Sequence, residues 1–251
     1  MMAQQLRTEV IANNLANVNT TGFKRSRAQF EDLLYQTVQG AAVVGQPDSQ
    51  TTPSIQVGRG TRLVGVQRLH TQGAMETTNR PLDVAIEGEG FYQAQMPNGT
   101  TQYTRDGSFQ ISDQGTLVTA QGYALIPSIK IPTDSTGITI SQTGIVSATR
   151  GQSIEPQELG RIELARFSNP AGLQAQGENL YAATAASGDP VTGFAQEDGF
   201  GRTVQGALEA SNVEIVQEMV DMISAMRAYE INSKAIKNSE DMMETANGLV
   251  R

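Results

Sequence analysis

The chain has 251 residues, a formal net charge of −8 and no cysteine, which excludes disulfides, thiolate metal sites and thiol chemistry. An acidic surface with a pI near 4.8 opposes contact with polyanions, so nucleic acid is not an expected partner. Aromatic residues make up only 5%, tryptophan is absent, and 25 glycines point to a turn-rich β scaffold rather than a large enzyme core. No apolar run approaches the roughly 20 residues that span a bilayer, so no direct membrane insertion is expected. The start "MMAQQLRTEV" lacks the basic region and apolar core of a secretory signal, so export would need another route.

From Met2 to Val18, the apolar residues Met2, Leu6, Val10, Ile11, Leu15 and Val18 share one broad helical face. Asn13, Asn14 and Asn17 project onto or beside that face, and Asn19 follows. Asparagine is a poor residue for a helix interior, because its amide competes for backbone hydrogen bonds. Something must reward these amides. Gly22 suits the positive φ that ends a helix, with Phe23 folding back as the accompanying apolar contact. Lys24, Arg25 and Arg27 read as solvated charges favoured by the helix dipole.

Residues 36–60 are poor in charge and rich in Gly, Gln, Ser and Thr, the composition of a linker. Their apolar islands Val43, Val44, Ile55 and Val57 also suit an ordered arm or hairpin covered by a neighbouring subunit. A β-rich body follows. Residues 91–126 read as a meander with turns at Asn98-Gly99, Asp106-Gly107, Asp113-Gln114-Gly115 and Gly122. The stretches "GVQRLH", "DVAIE", "GITI", "GIVSA" and "RIELARF" are further strands, so a barrel or sandwich is expected. Residues 186–201 form a second linker-like stretch.

At the C-terminus, every seventh residue from Ile215 is apolar: Ile215, Met222, Tyr229, Ile236, Met243 and Val250. Met219 and Met226 flank this row early, and Ala235, Met242 and Leu249 flank it later, as a 3.6-residue period requires. One helix over residues 212–249 would be about 55 Å long at roughly 1.5 Å per residue. A helix this long, with so wide a stripe, calls for partners beyond its own domain.

Catalytic motifs are scarce. His70 is the one histidine, which rules out multi-histidine metal sites and reads as a strand or surface residue. "EGEGF" and "GRG" lack the spacing of phosphate loops and read as turns. Glu87, Glu89, Asp106 and Asp113 fall in hairpin-like turns rather than an acid–base pair. No catalytic residue, cofactor or metal is assigned, and the chain is not expected to be an enzyme.

The stretch "VIANNLANVNTTGFKR" resembles the N-terminal signature of bacterial flagellar rod and hook axial proteins. "ALEASNVEIVQEMVDMISAMRAYEINSKAIKNSEDMMETANGL" is similar to the family's C-terminal segment, and "DVAIEGEGFYQ" and "YTRDGSFQISDQGTLVTAQGYALIP" to its β core. The length is short for a hook protein, and "FEDLLYQ" followed by 36–60 resembles the distal-rod branch, with the proximal-rod branch as runner-up. The family carries a short segment before the equivalent of Met1, so the resemblance implies a truncated start or an internal methionine.

The resemblance implies an α+β fold. The terminal helices, 1–30 plus 205–251, would pair as a coiled-coil-like inner polymerisation domain, with an extended arm at 31–65 and a β-rich, barrel- or sandwich-like outer domain at 66–204. It implies an open helical homopolymer in the periplasmic rod, transmitting torque and enclosing an export channel. Partners would be proximal rod proteins, the hook protein, the P and L rings and the flagellar type III export apparatus. The interface residues expected on this reading are Asn13, Asn14, Leu15, Asn17, Asn19, Gly22, Phe23, Ile215, Met219, Met222, Met226, Tyr229, Ile236 and Met243. Val43, Val44, Ile55 and Val57 would stiffen the rod. A competing reading is a secreted adhesin or carbohydrate-binding β module oligomerised through its helices.

Overall fold

The computed structural model describes residues 1–39, 42–43, 51–52, 54–150 and 156–249. It is an α+β protein: helix α1 (Met2–Ala16) opens the chain, helix α2 (Ile215–Leu249) closes it, and short strands fill the interval. The chain forms two compact units. One contains Met1–Asn13, Ser26–Gln67 and Val216–Arg251, and the other contains Asn14–Arg25 and Arg68–Ile215.

In the second unit, the meander expected over 91–126 forms strands Phe91–Gln95, Thr101–Thr104, Phe109–Ile111, Leu117–Thr119 and Ala124–Leu125. Its first turn is closed by Gly99 N–H donating to Met96 O at 2.9 Å, and Gly99 takes φ 81°, which is why glycine follows Asn98 there. Phe91–Gln95 is the hub of the sheet. Along one edge it pairs antiparallel with Thr101–Thr104; along the other it meets Glu163–Arg166 and then Ala124–Leu125.

Successive side chains of a strand face opposite ways, and this hub is covered on both sides. Tyr92 joins a main core with Val84, Ile86, Phe109, Leu117 and Leu164, whereas Phe91 joins a smaller core with Tyr103, Phe167 and Tyr181. The paired Leu164 and Ala165 divide between the two cores in the same way. A three-stranded antiparallel sheet, Ser135–Ile140, Ile145–Arg150 and Gln157–Arg161, adds Ile140 and Val146 to the main core.

The loop before Phe109 lies hard against strand Val84–Glu87, and a Cβ at Gly107 would fall 1.7 Å from Val84 O. Backbone cannot yield as a flexible side-chain tip can. Gly107→Ala therefore costs about 3 kcal/mol, read as a lower urea midpoint with an unchanged slope.

In the first unit, Arg7 Nη2 of α1 stands 3.7 Å from Asp221 Oδ1 of α2. The described residues of the segment 26–68 pair as two-stranded antiparallel stretches. Ser26–Asp32 pairs with Thr61–Arg68, Gln36–Gln39 with Ile55–Val57, and Ala42–Val43 with Thr51–Thr52. The stretch with linker composition thus forms a hairpin over its described part; Val44 lies outside the described residues.

Both helices are shorter than expected. α1 ends at Ala16 rather than Val18, where the Asn17 N–H turns back to Asn14 O at 3.1 Å. α2 begins at Ile215 rather than 212, because the Asn212 amide is used elsewhere: it donates to Leu69 O at 2.8 Å and Thr71 O at 3.0 Å.

Candidate assembly interface and buried clamp

Where residues 14–25 and the strand Ala207–Glu209 meet in the β-rich unit, three charges are buried together. Lys24 and Glu209 are each 1% exposed and Arg105 is 5% exposed. Lys24 Nζ lies 2.5 Å from Glu209 Oε1 and donates to Thr71 O at 2.8 Å. The Gly73 N–H donates to the same carboxylate oxygen at 2.9 Å. Arg105 Nε is 3.1 Å from Glu209 Oε2, in ion-pair contact rather than an aligned hydrogen bond. The Arg105 Nη1 and Nη2 atoms donate to Gly90 O at 2.6 Å and Gly88 O at 2.9 Å.

Burial pulls the Lys24 ammonium below its ordinary pKa, Glu209 draws it back up, and Arg105 lowers it further. Backbone contacts complete the clamp. Gly22 N–H donates to Glu209 O at 2.8 Å, and the Arg25 N–H donates to Asn212 Oδ1 at 2.7 Å. Gly22 takes φ 67°, and a Cβ there would stand 3.0 Å from the Arg105 carbonyl carbon, so glycine is required twice over. Lys24, expected as a solvated charge, is therefore a buried ion-pair partner. Its signal was unreadable in sequence because Glu209 is 185 residues away.

The N-terminal candidates divide by environment. Asn14 and Phe23 are buried, Leu15 and Asn17 are half-buried, and Asn13 and Asn19 are exposed. The Asn17 Oδ1 atom accepts from the Thr20 hydroxyl at 3.2 Å, an intrachain use of one amide at the helix end.

On α2, Glu218 and Ala225 are buried, and Asp221, Met222 and Ala228 are half-buried, all on one stripe. Of the expected row, Ile215, Met219, Met226, Tyr229, Ile236 and Met243 are all exposed. A second exposed apolar row, Val216, Val220, Ile223 and Ile231, runs beside it. Sequence reading missed this row because its spacing is broken by Arg227. A helix apolar on more than one face is suited to enclosure by other helices. On the ribbon, Ile55 and Val57 are exposed, as are Leu34, Tyr35 and Val38.

His70 lies just beyond strand Thr61–Arg68 and forms part of the wall of a cavity of about 470 Å³ with Phe91, Arg105 and Phe167. Its ring meets Phe91 and Tyr181 edge-on at 5.7 and 5.6 Å between centroids. Both ring nitrogens are buried without a hydrogen-bond partner among the described residues. Burial, with Lys24, Arg68 and Arg105 nearby, lowers its pKa to about 4, so the imidazole is neutral at pH 7. A neutral ring held edge-on by two aromatics packs as part of the β-rich unit's interior.

Buried charges spent on tying chain segments together, in a chain whose long helix α2 carries exposed apolar rows, define a structural subunit. Three family models match the chain: Flagella basal body rod protein over residues 1–24, Flagellar hook protein FlgE/F/G D1 domain over 85–148, and Flagellar basal body rod FlgEFG protein C-terminal over 204–249. Flagellar basal-body rod protein FlgG of Borreliella burgdorferi is 53% identical, covering 100% of this chain and 96% of the relative. The proteins of the same name from Caulobacter vibrioides and Bacillus subtilis are 46% and 37% identical, over 99% and 98% of this chain and 95% and 94% of theirs. The chain belongs to the family of flagellar basal-body rod proteins FlgG, a structural family and not an enzyme family.

Proposed function

We propose that the chain is the subunit of the distal rod, polymerising into a rigid helical tube that carries motor torque across the periplasm to the hook and encloses the export channel. The observation that carries this is the set of exposed apolar rows on α2 in a chain that matches rod relatives along its whole length. Apolar surface of this extent is stabilised by burial, at roughly 25 cal/mol per Å², when neighbouring copies cover it. A contact between two different surfaces repeats without closing, which makes a filament.

In this reading, residues 1–30 and 205–251 form the inner polymerisation domain with coiled-coil-like helix pairing, 31–65 the arm, and 66–204 the outer domain. Ile215, Met219, Met222, Met226, Tyr229, Ile236 and Met243 pack between copies, and the exposed Asn13 and Asn19 fix register as buried amides do in coiled coils. Proximal rod proteins, the hook protein and the P and L rings are its neighbours, and the flagellar type III export apparatus delivers it without a cleaved signal. Negative-stain microscopy of the purified chain tests this: tubes support it, and a discrete closed oligomer contradicts it.

The ribbon is assigned the stiffening role. Its exposed Ile55 and Val57 give it apolar surface for insertion between neighbours, and Val43 and Val44 are assigned the same role. Removing residues 36–60 leaves assembly intact but yields curved or flexible polymers in electron micrographs; straight polymers of unchanged persistence would refute the assignment.

A further inference from the structure

One chain carries two complementary features on different faces of α2. The first is a groove of about 430 Å³ between the helices, walled by Gln5 and Thr8 of α1 and Met226, Tyr229 and Glu230 of α2. Its rim is acidic. Glu230 and Glu9 are both exposed, and Glu9 is held near the groove by accepting from the Gln5 amide at 3.2 Å. The second is the exposed row Val216, Val220, Ile223 and Ile231, which has the exposed cation Arg227 in line with it. At 3.6 residues per turn, Met226 and Tyr229 lie roughly 100° and 160° around the helix from the centre of the row, whereas Glu230, seven residues after Ile223, stands at the edge the row and the groove share. The apolar knobs of the row therefore point away from the Met226 and Tyr229 wall of their own chain's groove.

We propose that the groove between α1 and α2 receives the Val216, Val220, Ile223 and Ile231 row of a second copy of this chain, with Arg227 of that row set against Glu9 and Glu230. This rests on the rod-subunit reading and specifies the contact that propagates it. The occupant is chosen by complementarity: the groove has apolar walls and an acidic rim, and the row has apolar knobs and a central cation. Glutamate and arginine pair well across a partly desolvated contact, where the guanidinium can serve two carboxylates. Contact between unlike surfaces leaves each added copy with a free groove at one side and a free row at the other. Growth is then open-ended. Row against row would instead close a two-fold dimer and stop.

The test uses full-length chains carrying Ile223→Glu, which disables the row, or Met226→Glu, which disables the groove. Both positions are exposed, so circular dichroism should match the parent. Each variant alone remains monomeric, whereas an equimolar mixture forms a one-to-one dimer by analytical ultracentrifugation, because one intact row meets one intact groove. Arg227→Glu raises the critical concentration for polymerisation roughly tenfold or more, and adding Glu230→Arg to it restores much of the loss. A parent that polymerises while Ile223→Glu polymerises equally well overturns the contact and leaves the rod reading standing. Absence of the mixed dimer also overturns it. A parent that forms only a closed dimer lost in Ile223→Glu shows row-on-row pairing and overturns both readings.

Discussion

Glu209→Gln destabilises the β-rich unit by about 3–5 kcal/mol, because it leaves Lys24 and Arg105 as buried cations without their shared counter-charge. The side chain keeps its shape, so the loss reports charge rather than packing. Lys24 at 1% exposure cannot reach water without dragging residues 20–25 out of their seat. Its remaining acceptor, Thr71 O, carries no formal charge. The double replacement Lys24→Met with Glu209→Gln should recover part of the loss, since a buried pair replaced by packed neutral groups is often nearly neutral. Urea unfolding of the parent, the single variants Lys24→Met and Glu209→Gln, and the double variant gives the coupling directly, and additive losses would show that the pair does not act as a unit.

Acidification destabilises the same unit through His70. The folded state holds the imidazole neutral with a pKa of about 4, against an ordinary value of 6.5. Between those values the unfolded chain binds the extra proton, so stability rises with pH. The contribution is fully present above pH 6.5 and is lost as pH falls toward about 4, amounting to about 3 kcal/mol. His70→Phe removes this dependence and keeps an aromatic ring beside Phe91 and Tyr181, with no buried nitrogen left unpaired. Paired stability curves from pH 7 to about 4 check it; parallel curves would show that protonation of His70 has no cost.

The parts of the fold set by local chemistry were legible in the sequence. Asn98-Gly99 announced a hairpin because only a residue tolerant of positive φ closes that turn, and the heptad row announced α2 because its period repeats over many turns. Non-local chemistry was not legible. Nothing near Lys24 signals Glu209 or Arg105, and nothing near Asn212 signals that its amide will hold residues 69 and 71 and so delay the helix. The asparagines of "NNLANVN" are only partly explained by helix pattern: Asn17 holds Thr20, Asn14 is buried, and Asn13 and Asn19 remain exposed. The second apolar row of α2 escaped because Arg227 interrupts it, the same residue that gives the row its charge.

Two uses of the termini follow from these contacts. Residues 14–25 and 205–213 are fixed to the β-rich unit by buried charge and backbone hydrogen bonds. Helix α2, which follows residue 213, carries the apolar rows.

Electron cryomicroscopy of the polymer formed by the full-length chain tests the central claim most directly. The account predicts a straight helical tube with α2 enclosed by neighbouring copies and its two apolar rows covered by unlike surfaces. A closed oligomer of fixed size, or a polymer in which both rows of α2 face solvent, would contradict it.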